Sequence, residues 1–277
     1  MLRAVGLLFL FLTLPIQAQI QAVAPSTQNG ANQWNGRFWQ IVVHRDPDAT
    51  QSVQRALDAL GGADAISKIQ DWTAHATIDP QQGNPEAPGT AIWKISGSES
   101  RTDMTTSQGT YSTVSGRGKP YVETPSATYR LPIHSILAEF YSPFVAQELW
   151  RQFVDPKCSF EFLGPRSLNG KSVIVIKTSS QASLVHSLVT PQVWYFDADT
   201  GLPVRVDYKW PDKNKAGLSV ELSVVLSDYE AKNGILFPFG SIVSLQNSVW
   251  RIDKVTEIEM NTSLAPSLFD AKEGLAK

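Results

Sequence analysis

Two segments in the C-terminal third alternate so strictly that only a half-buried β-strand satisfies them. Between Leu202 and Trp210, the residues Leu202, Val204, Val206, Tyr208 and Trp210 share one parity, and Arg205, Asp207 and Lys209 the other. From Leu218 to Leu226 the apolar set is Leu218, Val220, Leu222, Val224 and Leu226, opposed by Ser219, Glu221, Ser223 and Ser227. Successive side chains of a strand point to opposite faces, so each segment predicts one oily face and one wet face. Asn169-Gly170 and Asn233-Gly234 are hairpin signals, and Asp199-Thr200-Gly201 is a turn. Short turns between such strands make a curved antiparallel sheet. Its oily face must be covered, and what covers it decides the function.

Further strands are expected at Trp72–Ile78, Ala91–Ile95, within Arg101–Val114, at Phe160–Phe162, Val173–Thr178 and Val193–Phe196, and from Ile235 through Leu245 and Trp250 to Met260. The total is about 9 to 11 strands. Helices are expected in two places. One begins at Asp48-Ala49-Thr50, carries Val53, Ala56, Leu57 and Leu60 at helical spacing, and stops at Gly61-Gly62; a short turn of helix follows over Ala63 to Ile69. The other breaks the β pattern between Leu131 and Phe153. There Ile133, Ile136, Leu137 and Phe140 form one helical stripe, and Pro143 separates it from a second with Val145, Leu149, Trp150 and Phe153. These two helices are the natural lid for the oily sheet face. Leu264 and Phe269 close the chain as docking residues of a short tail.

The first residues read as a secretory signal: Arg3, then an apolar run from Ala4 to Leu14, then Pro15 and Ala18. The expected organisation is a signal over residues 1–18, with cleavage as late as 24, then a flexible leader over 19–47. A single domain built on the curved sheet follows over 48–270, and a tail over 271–277. The expected location is therefore periplasmic or secreted. A net charge of −2 argues against nucleic acid as a partner, because phosphate binding needs clustered Lys and Arg. Cys158 is the single cysteine, so no intramolecular disulfide is possible. It reads as a strand residue rather than a reactive thiol, with no histidine near it in sequence.

No catalytic constellation is visible. Asp197-Ala-Asp-Thr-Gly resembles the start of a calcium loop, but its glycine is at the wrong position and Tyr208 stands where the bidentate Glu belongs, so a turn is the better reading. His44, His75, His134 and His186 lack zinc-ligand spacing, and His134, near the expected lid, reads as an ordinary surface histidine rather than a residue of a pocket mouth. Gly116-Arg117-Gly118-Lys119 lacks the context of a phosphate loop and reads as a hairpin tip. No Gly-x-Ser-x-Gly elbow occurs. Asn261-Thr-Ser matches a glycosylation sequon. Trp72, Trp93, Trp194, Trp210 and Trp250 all fall in expected strands. They serve either a packed core or a cavity beneath the lid, since both have one composition.

This order of elements resembles the LolA/LolB-like lipoprotein-carrier superfamily, which includes outer-membrane lipoprotein-sorting proteins and the MucB/RseB regulators. The stretches that carry the resemblance are Trp194-Tyr-Phe-Asp-Ala-Asp-Thr-Gly-Leu-Pro203, Ser227-Asp-Tyr229 with Asn233-Gly-Ile-Leu-Phe-Pro238, and Ile258 to Phe269. The resemblance implies an α+β fold, an unclosed β-barrel with a helical lid and acyl chains bound inside. It brings no catalytic residue and no cofactor or metal.

The function expected from this reading is a periplasmic carrier, a monomer, of lipid or lipoprotein acyl chains. The cavity is lined by Trp93, Ile95, Trp194, Phe196, Val204, Val206, Val220 and Leu222 of the sheet and by Ile136, Leu137, Phe140 and Leu149 of the lid, with Pro143 as its hinge. Burial of apolar surface at about 25 cal/mol per Å² drives uptake. The alternative is an envelope sensor of the same fold that regulates a protein partner. An enzyme is the reading with least support.

Overall fold

The computed structural model describes residues 43–81, 84, 87–116, 120–130, 142–180, 191–211 and 219–270, all within one compact unit spanning Ile41–Lys277. Helices α1 (Pro47–Ala59) and α2 (Ala63–Ser67) come first. Strands β1 (Asp71–Pro80), β2 (Gly89–Ser96), β3 (Glu99–Thr106), β4 (Gly109–Ser115), β5 (Tyr121–Glu123) and β6 (Thr128–Arg130) follow. A 3-10 turn at Ser142–Phe144 leads into α3 (Val145–Val154). The remaining strands are β7 (Cys158–Leu168), β8 (Lys171–Ser180), β9 (Gln192–Asp197), β10 (Pro203–Pro211), β11 (Ser219–Lys232), β12 (Ile235–Leu245) and β13 (Ser248–Met260).

All thirteen strands form a single antiparallel sheet in the order β6-β5-β4-β3-β2-β1-β13-β12-β11-β10-β9-β8-β7. Two meanders thus run outward from a central seam, where β1 pairs with β13. The two outer strands, β6 and β7, are consecutive in sequence. Their connection must therefore pass from one edge of the sheet to the other, and it carries α3 with it. Register shifts interrupt the β1–β13, β7–β8, β9–β10 and β12–β13 ladders. Each local bulge adds twist, which curls the sheet into an unclosed barrel, as the resemblance implies.

The sheet has more strands than expected because β5 and β6 are three residues each, too short to show a period. The first expected lid helix lies outside the described residues; the second is α3. Asn169-Gly170 and Asn233-Gly234 both take positive φ at both positions, as a tight hairpin turn requires. The β12–β13 hairpin makes the same turn with Gln246 and Asn247.

Helix α1 begins on a proline, whose fixed φ suits the first helical position. It buries Ala49, Val53, Ala56 and Leu57, and its end is closed by the Gly62 amide donating to the Leu57 carbonyl at 2.8 Å. Gly61 has φ +120, and a Cβ there would stand 2.4 Å from the Gly234 carbonyl oxygen. Only glycine allows this approach, which sets the end of α1 on the β11–β12 turn, where the Leu236 amide donates to Leu60 at 2.9 Å.

The tail is tied down at both ends. The Asp71 carboxylate accepts the amides of Thr262 (2.8 Å) and Ser263 (3.0 Å) and the Thr262 hydroxyl (3.1 Å). Asn261 uses its side chain to accept from the Gln70 amide at 2.7 Å and donate to the Lys68 carbonyl at 3.3 Å. The sequon asparagine is thus a structural clasp, and a glycan on its amide nitrogen would break it. Farther on, Phe269 is buried on the outer face of β3–β5, where Tyr121 donates to the Asp270 carbonyl at 3.0 Å.

The same outer face holds a small ionic cluster. Lys94 and Arg101 both reach Asp103 at 2.7 Å, and Ser112 donates to it at 2.7 Å. Burial alone would raise the Asp103 pKa, but the hydrogen bonds from Lys94 and Ser112 and the charges of Arg101 and Lys94 outweigh it and lower the value. A depressed folded pKa contributes stability that is complete above the unfolded value of about 4 and is lost as pH falls through the folded one. Asp103→Asn is therefore expected to flatten the loss of stability on acidification below pH about 4, read from urea midpoints at successive pH values.

Candidate functional site

Pairing across the antiparallel ladders shows which side chains share the inner face. One row runs Ile176, Trp194, Val206, Val224, Val243, Arg251 and Pro80. A second runs Phe160, Thr178, Gln192, Tyr208, Leu222 and Leu245. On the other wing a row runs Ala74, Trp93, Thr102, Thr113, Val122 and Tyr129. Along that last row exposure rises from 4% at Trp93 to 54% at Tyr129, so the inner face continues outward from the core to solvent.

The residues expected to line the cavity fall as follows. Trp93, Ile95, Leu149, Trp194, Phe196, Val206 and Leu222 all belong to one hydrophobic cluster. Leu149, Trp194 and Val206 have no exposure, so each is enclosed by protein in this arrangement. Val220 is half-buried near the start of β11. Val204 is half-buried at the β9–β10 register shift, where the alternation with Val206 slips. Ile136, Leu137 and Phe140 lie outside the described residues, as does His134. Trp72 joins the same cluster, edge-on to Phe144 at 4.8 Å and to Phe237 at 5.1 Å. Pro143, expected as the hinge, is buried in the 3-10 turn beside Phe144.

Helix α3 ties the two wings together. Arg151 donates to the carbonyl of Gly97, in the β2–β3 turn. Its neighbour Gln152 donates to Gln192 Oε1, at the start of β9, at 2.6 Å. In sheet order β2 and β9 are six strands apart, about 29 Å along a flat sheet at ~4.8 Å per strand. Two adjacent side chains reach both, so the sheet is curled into a trough and α3 straddles it. Gln147 adds a bond to the Ile69 carbonyl at 3.4 Å. The helix C-terminus is held by Arg45, whose guanidinium donates to the carbonyls of Phe153 (2.9 Å), Cys158 (3.0 Å), Gln152 (3.4 Å) and Asp155 while lying 4.7 Å from the centre of the Phe160 ring.

Gln152, Gln192 and Arg151 were not singled out in the sequence. Their only signal is a polar residue at an inner position, visible once the register is known. The inner face also holds charge. Arg251 and Asp253 sit two residues apart on β13, with Arg251 Nε 2.8 Å from Asp253 Oδ1 and side-chain exposures of 25% and 2%. Their neighbours across the ladders are Val243 and Pro80 for Arg251, and Ser241 and Ile78 for Asp253. Ser241 is itself buried, so these three residues form a polar island in an apolar wall.

The remaining expectations resolve locally. The Asp197 carboxylate accepts the amides of Thr200 (2.8 Å) and Asp199 (3.1 Å) and the Thr200 hydroxyl (2.9 Å), so the calcium-like stretch is a turn closed by its own aspartate. Cys158 opens β7 and is buried; desolvation, the largest cause, pushes its thiol up to about 12. Native protein at pH about 8 is expected to resist thiol reagents, with one equivalent reacting only after unfolding. On the outer face, a groove of about 230 Å³ is lined by Val193, Arg205, Asp207, Lys209, Glu221 and Ser223, among others. Arg205 and Asp207 close on each other across it at 2.6 Å. Among the described residues no helix is long and apolar enough to cross a membrane.

No protein-family model matches the chain, and no curated protein matches it. Solved structures do. A DUF1329 family protein from Desulfovibrio piger is similar at 17% identity with a TM-score of 0.53, covering 80% of this chain and 97% of that one. A LolA superfamily protein from Nitrosomonas europaea is similar at 11% identity with a TM-score of 0.53, covering 80% of this chain and 98% of that one. At such identities the likeness is one of fold, that of the curled antiparallel sheet and its helices.

Proposed function

We propose that this chain is a carrier of the bacterial envelope that holds lipid or lipoprotein acyl chains, without catalysis, between the inner face of its sheet and the helical crossover that includes α3. The observation that carries this reading is the straddling of the trough by α3, tied to opposite wings through Arg151 and Gln152. A helix that merely completed a core would need only apolar contacts. This one also bridges the opening of a curled sheet, through polar bonds that break and re-form at small cost. With α3 seated, Leu149 presses into the same cluster as Trp194 and Val206. A guest therefore takes its place as the strap lifts, and the wall it meets is the inner face running from Trp93 past Thr102 and Thr113 to Val122 and Tyr129. Phe144, fixed on Trp72 at the N-terminal end of α3, makes that end the pivot. The shared fold with a LolA-superfamily protein supports the reading, as does the apolar cluster against which α3 packs.

The test is native mass spectrometry of protein purified from the bacterial envelope, together with uptake of a pyrene-labelled lipid. Co-purified lipid and saturable uptake are expected. Arg151→Ala, which frees α3 from one wing, is expected to speed release of the labelled lipid about tenfold, the equivalent of ~1.4 kcal/mol of lost hydrogen bonding. Protein that is lipid-free as isolated and takes up no labelled lipid would sink the carrier reading.

A further inference from the structure

Resting on that reading, we propose that the island formed by Arg251, Asp253 and Ser241 is the subsite for the polar head of the guest. It takes an uncharged acyl carbonyl, as in an ester or amide, rather than the carboxylate of a free fatty acid.

Three observations place it. The first is position. Arg251 and Asp253 face inward in the same rows as Val243 and Ile78, two members of the apolar wall. They lie at the end of the trough remote from the aromatic contacts of Trp72. From Trp72 to Ile78 the wall runs about 20 Å along β1, at ~3.3 Å per residue, which gives an acyl chain a track with a polar stop at one end. The second is backbone geometry. Ala76 pairs with Val255 and His75 with Glu257, so Thr256 is an extra residue in β13. This bulge shifts the strand's parity by one. Without it Ile252 would face inward and the two charges would face out; with it the charges enter the wall. The third is cost. An ion pair taken out of water gives little or no net stability compared with apolar residues of the same volume. Asp253 is 2% exposed, yet it stands where an aliphatic side chain would pack against Ile78.

The charge balance selects the ligand. The Asp253 carboxylate stands 2.8 Å from Arg251 Nε and balances its charge. A guanidinium has five N–H donors and no acceptor, and a quarter of the Arg251 side chain is exposed. A carbonyl oxygen needs donors only and adds no charge. A carboxylate would bring a second negative charge beside Asp253 in a poorly solvated wall. Pockets of this kind are mostly apolar, with a few polar groups that fix orientation.

The experiment compares three pyrene-labelled chains of equal length: a methyl ester, the matching alkyl ether without the carbonyl, and the free acid. Wild-type protein is expected to bind the ester at least about tenfold more tightly than the ether, the discrimination typical of a site built around a hydrogen bond, and more tightly than the acid. The variant Arg251→Met/Asp253→Leu removes both charges together and is expected to stay folded by circular dichroism. It should bind the ether as wild type does and bind ester and ether within about twofold of each other. An unchanged ester-to-ether ratio in that variant overturns the subsite. So does a wild type that prefers the acid, or one that binds ester and ether alike. Binding of none of the three to wild type overturns the carrier reading and the subsite with it.

Discussion

Trp72→Ala is expected to destabilise the protein by about 3–5 kcal/mol, the cost of emptying a large aromatic site in a packed core. Trp72 has no exposure, stands on the first strand of the central seam, and meets Phe144 and Phe237 edge-on. Phe237 belongs to β12 and Phe144 to the turn that opens α3. One indole therefore joins the sheet to its crossover, and its loss leaves a void bounded by rigid backbone on the sheet side. The check is urea unfolding followed by circular dichroism. The midpoint should fall with an unchanged slope, since the same surface is exposed on unfolding. A loss below about 1 kcal/mol would mean that the site collapses around the void and that Phe144 is not anchored there.

The second large effect is expected at Arg45. Arg45→Ala strips donors from the carbonyls of Gln152 and Phe153, groups that a helix C-terminus leaves without partners, and from those of Asp155 and Cys158 just beyond it. It also removes the cation stacked on Phe160. The expected loss is about 2–3 kcal/mol, because buried acceptors left unpaired cost more than the average hydrogen bond. Arg45→Lys should recover little of it, since an ammonium is a point donor and cannot fork across several carbonyls. Hydrogen exchange locates the effect. Amides of α3 should lose protection in Arg45→Ala before those of β12 and β13. Equal loss everywhere would show that Arg45 supports the whole core rather than the strap.

The antiparallel character of the sheet was legible in the sequence because most of β10 and β11 alternates, and Asn169-Gly170 and Asn233-Gly234 name their own turns. Helix α3 was legible from Val145, Leu149 and Phe153. The polar island was not. In β13, counting back from Ile258 by twos puts Thr256, Lys254 and Ile252 on the inner face, and only the bulge at Thr256 corrects the count. A bulge has no reliable mark in the amino acids themselves, since it is fixed by what both strands pair with. Gln152 and Gln192 were invisible for a related reason. They are 40 residues apart, and each looks like an ordinary polar residue until the fold brings their amides to 2.6 Å. Trp93, Trp194 and Val206 were chosen from alternation as an inner face. Alternation identifies a side of a sheet, and what fills the space beside it is a matter of three-dimensional packing.

The seam between β1 and β13 has a consequence for how the molecule is made. Trp72 lies opposite Met260, so the middle of the sheet joins the two ends of the domain. During synthesis, the first hairpins emerge with one flank of β1 bare, and that flank stays bare until the last strand has left the ribosome. Contacts between residues so distant along the chain close slowly. The β1–β13 ladder is therefore expected to be among the last to form, and until it does the two meanders have no shared sheet.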